Sequence, residues 1–455
     1  MNNQTKVREQ ELILHGNVWG MMWSLSWPAI VAMVLFGMNV VVDGIFVGQY
    51  CGETALAGVT LVYPITQILQ GFGSLIGVGA GSYLSILIGK KALKEQGTLI
   101  GNVNFLIIVF SIIITGLGLL SLNPLMKLLG ASAEESVFAL AYIRPLLYGS
   151  IFWIAGLAYN MIVRAEGKMA TAAWMMGVGL LCNIICNYIF MAIFNLGVFG
   201  AALGTNIGML LYTLAFLIYA ARGKASFPTN AAKFYRESGA QKEILSLGFP
   251  SLLMTIMYVI QSLIIMKALN SYGTQGDVAF YGNVFRLFNL FLTPIYGLMR
   301  ALQPAIGINY GSKNYDRVIK SYRVFSVAAT LLMLPLWLVS FFFPEMMLGL
   351  MLPNKIFTPD EILSFRIFIS VAPFLPIIFM AMTFWPAIEK PKPAGIFGIA
   401  RQVLLYIPAM IILPKYFGIS WIYKGSFLID IFLCAVVALM INKEFKRLKS
   451  MKVQG

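Results

Sequence analysis

The chain has 455 residues, 59% of them hydrophobic and only 11% charged, with a mean hydropathy of +0.82. A soluble globular chain carries roughly 45–50% apolar and about 25% charged residues, so a soluble enzyme, a nucleic-acid binder and a disordered scaffold are poor fits, and the solvent is mostly lipid. The net charge of +15, from 33 basic and 18 acidic side chains, would suggest a nucleic-acid partner in a soluble protein, but in a membrane protein the positions of the charges matter first.

Apolar runs of about twenty residues, the length that crosses a bilayer core as a helix, recur from end to end. In chain order they predict twelve spans, near 18–43, 54–80, 98–121, 136–160, 170–192, 200–221, 245–269, 278–305, 323–343, 361–386, 394–413 and 419–441. The first run is too long for a signal-peptide core and no small-residue cleavage site follows it, so it is expected to stay as a span. The fold class expected is an all-α polytopic membrane protein.

With the N-terminus placed in the cytoplasm, the N-terminal tail, the loops 89–97, 164–169, 222–243, 311–323 and 389–393, and the C-terminal tail hold 23 Lys and Arg. The outer side holds five: Lys127, Lys267, Lys355, Lys415 and Lys424. Five arginines lie within or beside spans: Arg144, Arg286, Arg300, Arg366 and Arg401. Basic residues concentrate in cytoplasmic loops, so both termini are predicted cytoplasmic, and the positive charge needs no nucleic acid. The cysteines Cys51, Cys182, Cys186 and Cys434 imply no disulfide framework, and the single histidine, His15, cannot build a multi-His metal site.

The longest hydrophilic loop, 222–243, lies near the middle of the chain and reads as a linker between residues 1–221 and 244–455. The two halves repeat. Trp27-Pro28 opens the first span and Phe249-Pro250 the seventh, 222 residues apart. Gly89 and Lys91 end the second span, and Gly311 and Lys313 the eighth, at the same offset, at which Asn39 aligns with Gln261 and Gln67 with Asn289. Pro124 and Pro344 follow 220 apart, Glu166 and Glu389 223 apart. Six spans per unit is an even number, so both units enter from one side; parallel repeats of this kind enclose a central cleft in alternating-access transporters.

These residues resemble the multidrug and toxic compound extrusion family, part of a wider group of exporters and flippases. The stretches that carry the resemblance are SWPAI and VVDGIFVGQYCGETALAG at the first two spans, NMIVRAEGKM after the fourth, NIICNYIF in the fifth, GVFGAALGT opening the sixth and LQPAIGINYGSKNYDRV ending the eighth. The resemblance covers essentially the whole chain. It implies a V-shaped two-bundle antiporter of the bacterial inner membrane that exports small organic molecules against an inward flow of H+ or Na+, with no enzymatic activity and no other cofactor. The chain has no GxxxxGK[ST] string for ATP hydrolysis. A monomer is expected. The alternative is a flippase for a lipid-linked glycan; those relatives often have fourteen spans.

Asp43, in MNVVVDGIF, is the sharpest feature. A carboxylate inside a membrane is costly and usually faces a polar cavity or a partner. Burial raises a carboxylate's affinity for protons, which suits such a residue to load and release one. The resemblance places a cation-coupling carboxylate at Asp43, with Asn39 one turn earlier on the same face. Asn183 and Asn187 stand one turn apart in the fifth span, and amide oxygens are suitable ligands for a small hard cation. Asn160 and Thr205 match further polar positions of the family's amino-terminal cation site. Many members carry an acid where this chain has Asn187, so proton coupling through Asp43 is favoured over sodium. Pro28 removes a helical hydrogen bond, and the resemblance links bending there to substrate release.

The second half carries different charges. Arg286, Arg300, Arg401, Asp430 and Gln261 form a candidate charge and substrate network, in which the arginines either meet an anionic group or pair with Asp430 and lock helices together. Gly73, Gly77, Gly81 and Gly200, Gly204, Gly208 repeat every four residues, a spacing that lets membrane helices approach closely. Cys182 and Cys186 share a helix face but lack a third ligand and read as core.

Overall fold

The computed structural model describes residues 10–128, 132–230, 232–350, 352 and 355–454. Among them all regular structure is helical. Eleven helices are long and apolar enough to cross a membrane, and a bent pair makes the twelfth span.

Asn17 starts the first long helix: its side-chain oxygen accepts from Trp19 N and Gly20 N, the usual way of satisfying free N–H groups at a helix start. That helix, α1 (Val18–Cys51), runs through Pro28 without a break. The second expected span is redrawn. Glu53–Leu61 is a separate short helix, and α2 (Tyr63–Lys90) has Pro64 in its first turn, where a missing N–H and fixed φ suit a helix start. Next come α3 (Leu93–Leu128) and α4, whose segments Ala133–Tyr148 and Ser150–Ala165 meet at Gly149 with a 57° bend. Ser132 and Glu135 close a capping box at the start of α4. The half ends with α5 (Met169–Tyr188, continued by a π turn at Ile189–Ile193) and α6 (Gly197–Ala221).

The linker is shorter than expected, because α7 (Ser238–Tyr272) already starts inside 222–243. It is followed by α8 (Gln275–Gly311) and α9 (Tyr315–Phe342). In α10 (Pro359–Ile369 and Leu375–Ala387) a 3-10 turn at Ala372–Phe374 interrupts the span, where Pro373 and Pro376 cannot donate helical hydrogen bonds. In α11 (Pro391–Ile399 and Ile407–Phe417) a π stretch at Ala400–Tyr406 joins the two segments. The chain closes with α12 (Trp421–Gln454).

The repeat is written in the backbone. Lys91 and Lys313 both take positive φ (56° and 60°), as do Gly167 and Glu389 (85° and 59°), each pair 222 residues apart. Two further pairs at this offset face each other: Gly89 lies against Gly311, and Ser85 against Gly307. A pseudo-twofold axis therefore passes between α2 and α8.

The halves meet toward the end of the spans that carries the basic loops. A Cβ added at Gly79 would fall on the Ile244 carbonyl of α7, and one at Gly248 on the Leu75 carbonyl of α2. Gly297 of α8 seats on Ile30 of α1. Gln303 donates to Val78 O (3.0 Å) and Ser82 Oγ (2.9 Å), and Lys90 pairs with Glu389 across the halves. Arg317 and Asn309 bind the Leu12 and Ile13 carbonyls of the N-terminal segment. Backbone contact without side chains between is what small residues permit.

Candidate functional site

The glycines of α6 shape the site. Gly208 packs against Gly179 O and the Asn183 side chain of α5, and Gly204 against the Asn187 amide. With a Cβ at either position the Asn side chains would be displaced. Close packing of α5 on α6 thus presents Asn183 and Asn187 toward α1, which brings Asn39 and Asp43 on the same face.

The result is a connected polar cluster inside the first half. Asn187 Nδ2 donates to Asp43 Oδ1 at 2.6 Å. The Asn39 and Asn183 amides meet at 2.7 Å. Turned over, the Asn183 amide donates to Asp43 Oδ1 (3.1 Å) and accepts from Thr205 N and Oγ1 (both 3.1 Å); Thr205 Oγ1 also reaches Ala201 O at 3.0 Å. Asn39, Asn183, Asn187 and Thr205 are buried and Asp43 is half-buried. Among the described residues Asp43 has no basic partner: its side-chain donors are the amides of Asn187 and, turned over, Asn183.

Asp43 stands in the wall of a cavity of about 220 Å³. Its polar lining includes Asn39, Asn183, Thr205, Gln67, Gln70 and Tyr142; Phe36, Leu157, Met176 and Met209 supply apolar surface. A mostly apolar concavity with a few placed polar groups is the usual form of a small-molecule site.

Five of the six residues expected at the cation site therefore come together. Asn160 does not. Its amide nitrogen donates to Ala172 O (2.8 Å) and its oxygen accepts from Arg164 Nε (2.6 Å), so both ends are engaged away from Asp43. The sequence places Arg164 and Lys168, with Glu166 between them, in the loop 164–169. All three are 1% exposed. Glu166 pairs with Lys168 (3.2 Å) and accepts from the Tyr219 hydroxyl and from Ser226 N and Oγ, which pins the start of the linker to the end of α4. The sequence signal was present: NMIVRAEGKM continues an apolar run without a turn residue before Gly167.

The second-half network divides. Arg401 Nε and Nη2 both donate to Asp430 Oδ1 (3.0 and 2.8 Å), and Arg401 lies over the Tyr406 ring at 4.8 Å. Gln402 Nε2 donates to Gln261 Oε1 at 2.6 Å, so Gln261 joins α7 to α11. Arg286 is exposed and takes no part. Arg300 is half-buried and makes no ion pair with Asp430, whose partner is Arg401. Arg366 donates to Phe341 O at 3.0 Å. The Cys182 and Cys186 sulfurs lie 3.7 Å apart as free thiols.

Comparison with known proteins gives a consistent picture. The MatE family model matches residues 28–189 and 250–412, two segments whose starts lie 222 residues apart. The chain is 25% identical over 421 residues to the multidrug export protein MepA of Staphylococcus saprophyticus, and 26% identical over 424 residues to that of Staphylococcus aureus strain MRSA252; each alignment covers 92% of both chains. Among solved structures it is similar to a MATE in the bent conformation (TM-score 0.91, 22% identity, 98% of this chain and 99% of that one). It is also similar to an outward-facing multidrug resistance MATE family transporter of the MOP superfamily (TM-score 0.89, 23% identity, 96% and 98%).

Proposed function

The chain belongs to the MatE family of multipass membrane transporters, and on that premise we propose that it is a secondary exporter of small organic molecules, an antiporter driven by inward protons through Asp43. It is a transporter of the multidrug-efflux kind rather than an enzyme. The relatives named above come from bacteria, which supports a bacterial cytoplasmic membrane, with both termini on the cytoplasmic side by the distribution of Lys and Arg. The flippase reading finds no support, since the relatives matched over nearly the whole chain are multidrug export proteins.

The observation that carries the coupling role is a carboxylate without a basic partner in the wall of an apolar cavity. A bare charge there is costly. Protonation or cation binding relieves the cost, so the energy of the cavity depends on whether Asp43 is loaded. Asp43 receives an N–H from Asn187; no second carboxylate is among the cavity-lining residues. Hard cations such as Na+ prefer several oxygen ligands, so this arrangement favours the proton.

Alternating access then has a physical form. The glycine contacts that close the halves at the basic end are seamless, so opening that end requires α2, α7 and α8 to separate as bodies about the pseudo-twofold axis. Each half encloses its own packed helices, which fits rigid rocking by a monomer. Pro28 sits two residues from Ile30, the α1 residue on which Gly297 seats, and a helix lacking one hydrogen bond there bends at lower cost.

The test is transport of ethidium in proteoliposomes under an imposed pH gradient without sodium, and under a sodium gradient at fixed pH. Uptake is expected under the first condition. A strict sodium requirement would contradict proton coupling, and no transport under either gradient would contradict antiport.

A further inference from the structure

Two side chains of α5 alternate with the amide cluster and take no part in it. Cys182 directly precedes Asn183, and Cys186 directly precedes Asn187. Both are half-buried free thiols, and their sulfurs meet at 3.7 Å. At about 100° per residue around a helix, they occupy the strip of α5 between two faces. On one side lie Val178, Leu181 and Ile185, which are exposed within the span. On the other lie Asn183 and Gly179, which packs on the Gly208 carbonyl of α6. The thiols therefore stand at the edge of the α5–α6 seam, on its lipid side.

Packing alone does not require such a pair. Cysteine packs as a small hydrophobe, and its reactivity is what sets it apart. Residues one turn apart share a helix face, so α5 holds both sulfurs at a spacing that one atom can bridge. Thiolates select soft partners, and zinc asks for three or four protein ligands. Among the described residues no third His, Cys, Asp or Glu joins the pair. The ligand that fits is soft and needs two thiolates only. A trivalent organoarsenical meets both conditions. An arsine oxide condenses with two thiols: two As–S bonds form, the As–O bond and two S–H bonds break, and the oxygen leaves as water with both protons. Arsenic stays trivalent, so no oxidant or reductant is involved.

We propose that Cys182 and Cys186 form a dithiol site for trivalent organoarsenicals arriving from the lipid, and that its occupancy arrests transport. The arrest follows from position. α5 presents Asn187 and Asn183 to Asp43, and it touches α6 backbone to backbone beside the thiols. An organic group bridging the sulfurs overpacks that seam, and any shift of α5 moves both amides. Binding stands on the thiols alone; the arrest rests on the export reading.

The probe is phenylarsine oxide, added to the purified full chain. Intact-mass measurement is expected to show one phenylarsenic group per chain, with loss of two of the four free thiols. The adduct should survive a wash with β-mercaptoethanol and be removed by dimercaptopropanol, because only a dithiol competes with a chelate. Cys51→Ser with Cys434→Ser should keep it, and Cys182→Ser and Cys186→Ser should each lose it. A wash-resistant adduct in either of these last two variants, or none in the wild type, overturns the site. A second arm follows ethidium transport in proteoliposomes. Phenylarsine oxide is expected to reduce it to the rate of empty vesicles, with recovery after dimercaptopropanol, while Cys182→Ser transports normally and is insensitive. Full transport by wild type that carries the adduct, or equal inhibition of Cys182→Ser, overturns the arrest. If the untreated protein moves no ethidium, the export reading falls, and the mass measurement still decides the site.

Discussion

The two halves solve the same packing problem differently at matching positions. At the 222-residue offset, Arg401 and Asp430 of α11 and α12 stand where α5 and α6 have Gly179 and Gly208. In the first half the two glycines put backbone against backbone. In the second a guanidinium and a carboxylate bridge the helices, with Arg401 inside the π stretch of α11. Such stretches insert one extra residue and occur often at functional sites. The second contrast runs the other way: Asp43 has Ile265 as its repeat mate, and Ile265 is a core residue. The second half buries its charge in a pair. The first leaves its carboxylate with amides only. Of these two acids, the paired one bridges two helices, and the one held by amides alone is the carboxylate to which the proposal gives the coupling role.

The comparison can be broken by exchanging the roles. Asp43→Asn is expected to reduce coupled transport to the rate of empty vesicles while leaving the thermal midpoint of the purified protein unchanged or higher. Loss of folding instead would make Asp43 structural. Asp430→Ala strands the Arg401 guanidinium and is expected to cost about 3–5 kcal/mol of stability, read as a lower midpoint. The double change Arg401→Met with Asp430→Leu should recover most of that loss; a double variant as weak as the single one would contradict the locking role. Gly204→Ala pushes a methyl group onto the Asn187 amide. It is expected to cost about 1–3 kcal/mol and to lower transport per folded molecule, whereas a purely packing role predicts a lower midpoint with undiminished transport. Asn187→Asp, the smallest change, places a second carboxylate at hydrogen-bonding distance from Asp43. It should make transport respond to sodium at fixed pH, and an unchanged response would show that the remaining neutral groups do not complete a sodium site.

Much of this was legible in the sequence, for identifiable reasons. Spans announce themselves because lipid demands long apolar helices, and the repeat because glycines at close contacts and residues of positive φ, such as Gly89 and Lys91, tolerate few replacements. The grouping of Asp43 with Asn39, Asn183, Asn187 and Thr205 followed from helix periodicity together with the family resemblance. Asn160 lies apart from the cluster because a match of residue type does not say which neighbour a side chain will find; Arg164, one turn on, bonds to it. Arg164 itself was counted as a loop charge, since composition cannot tell a charge in a loop from one folded under a linker. The break in α4 at Gly149 and the split before Tyr63 were not read, because a continuous apolar run conceals a bend.

The central claim is that Asp43 exchanges protons for substrate. The direct measurement is luminal pH in proteoliposomes loaded with a pH-sensitive dye, followed after external ethidium is added without sodium. Inward movement of substrate against outward protons predicts a rise in luminal pH with the wild type and none with Asp43→Asn. A rise that persists in Asp43→Asn, or ethidium uptake by the wild type with no change in luminal pH, would contradict it.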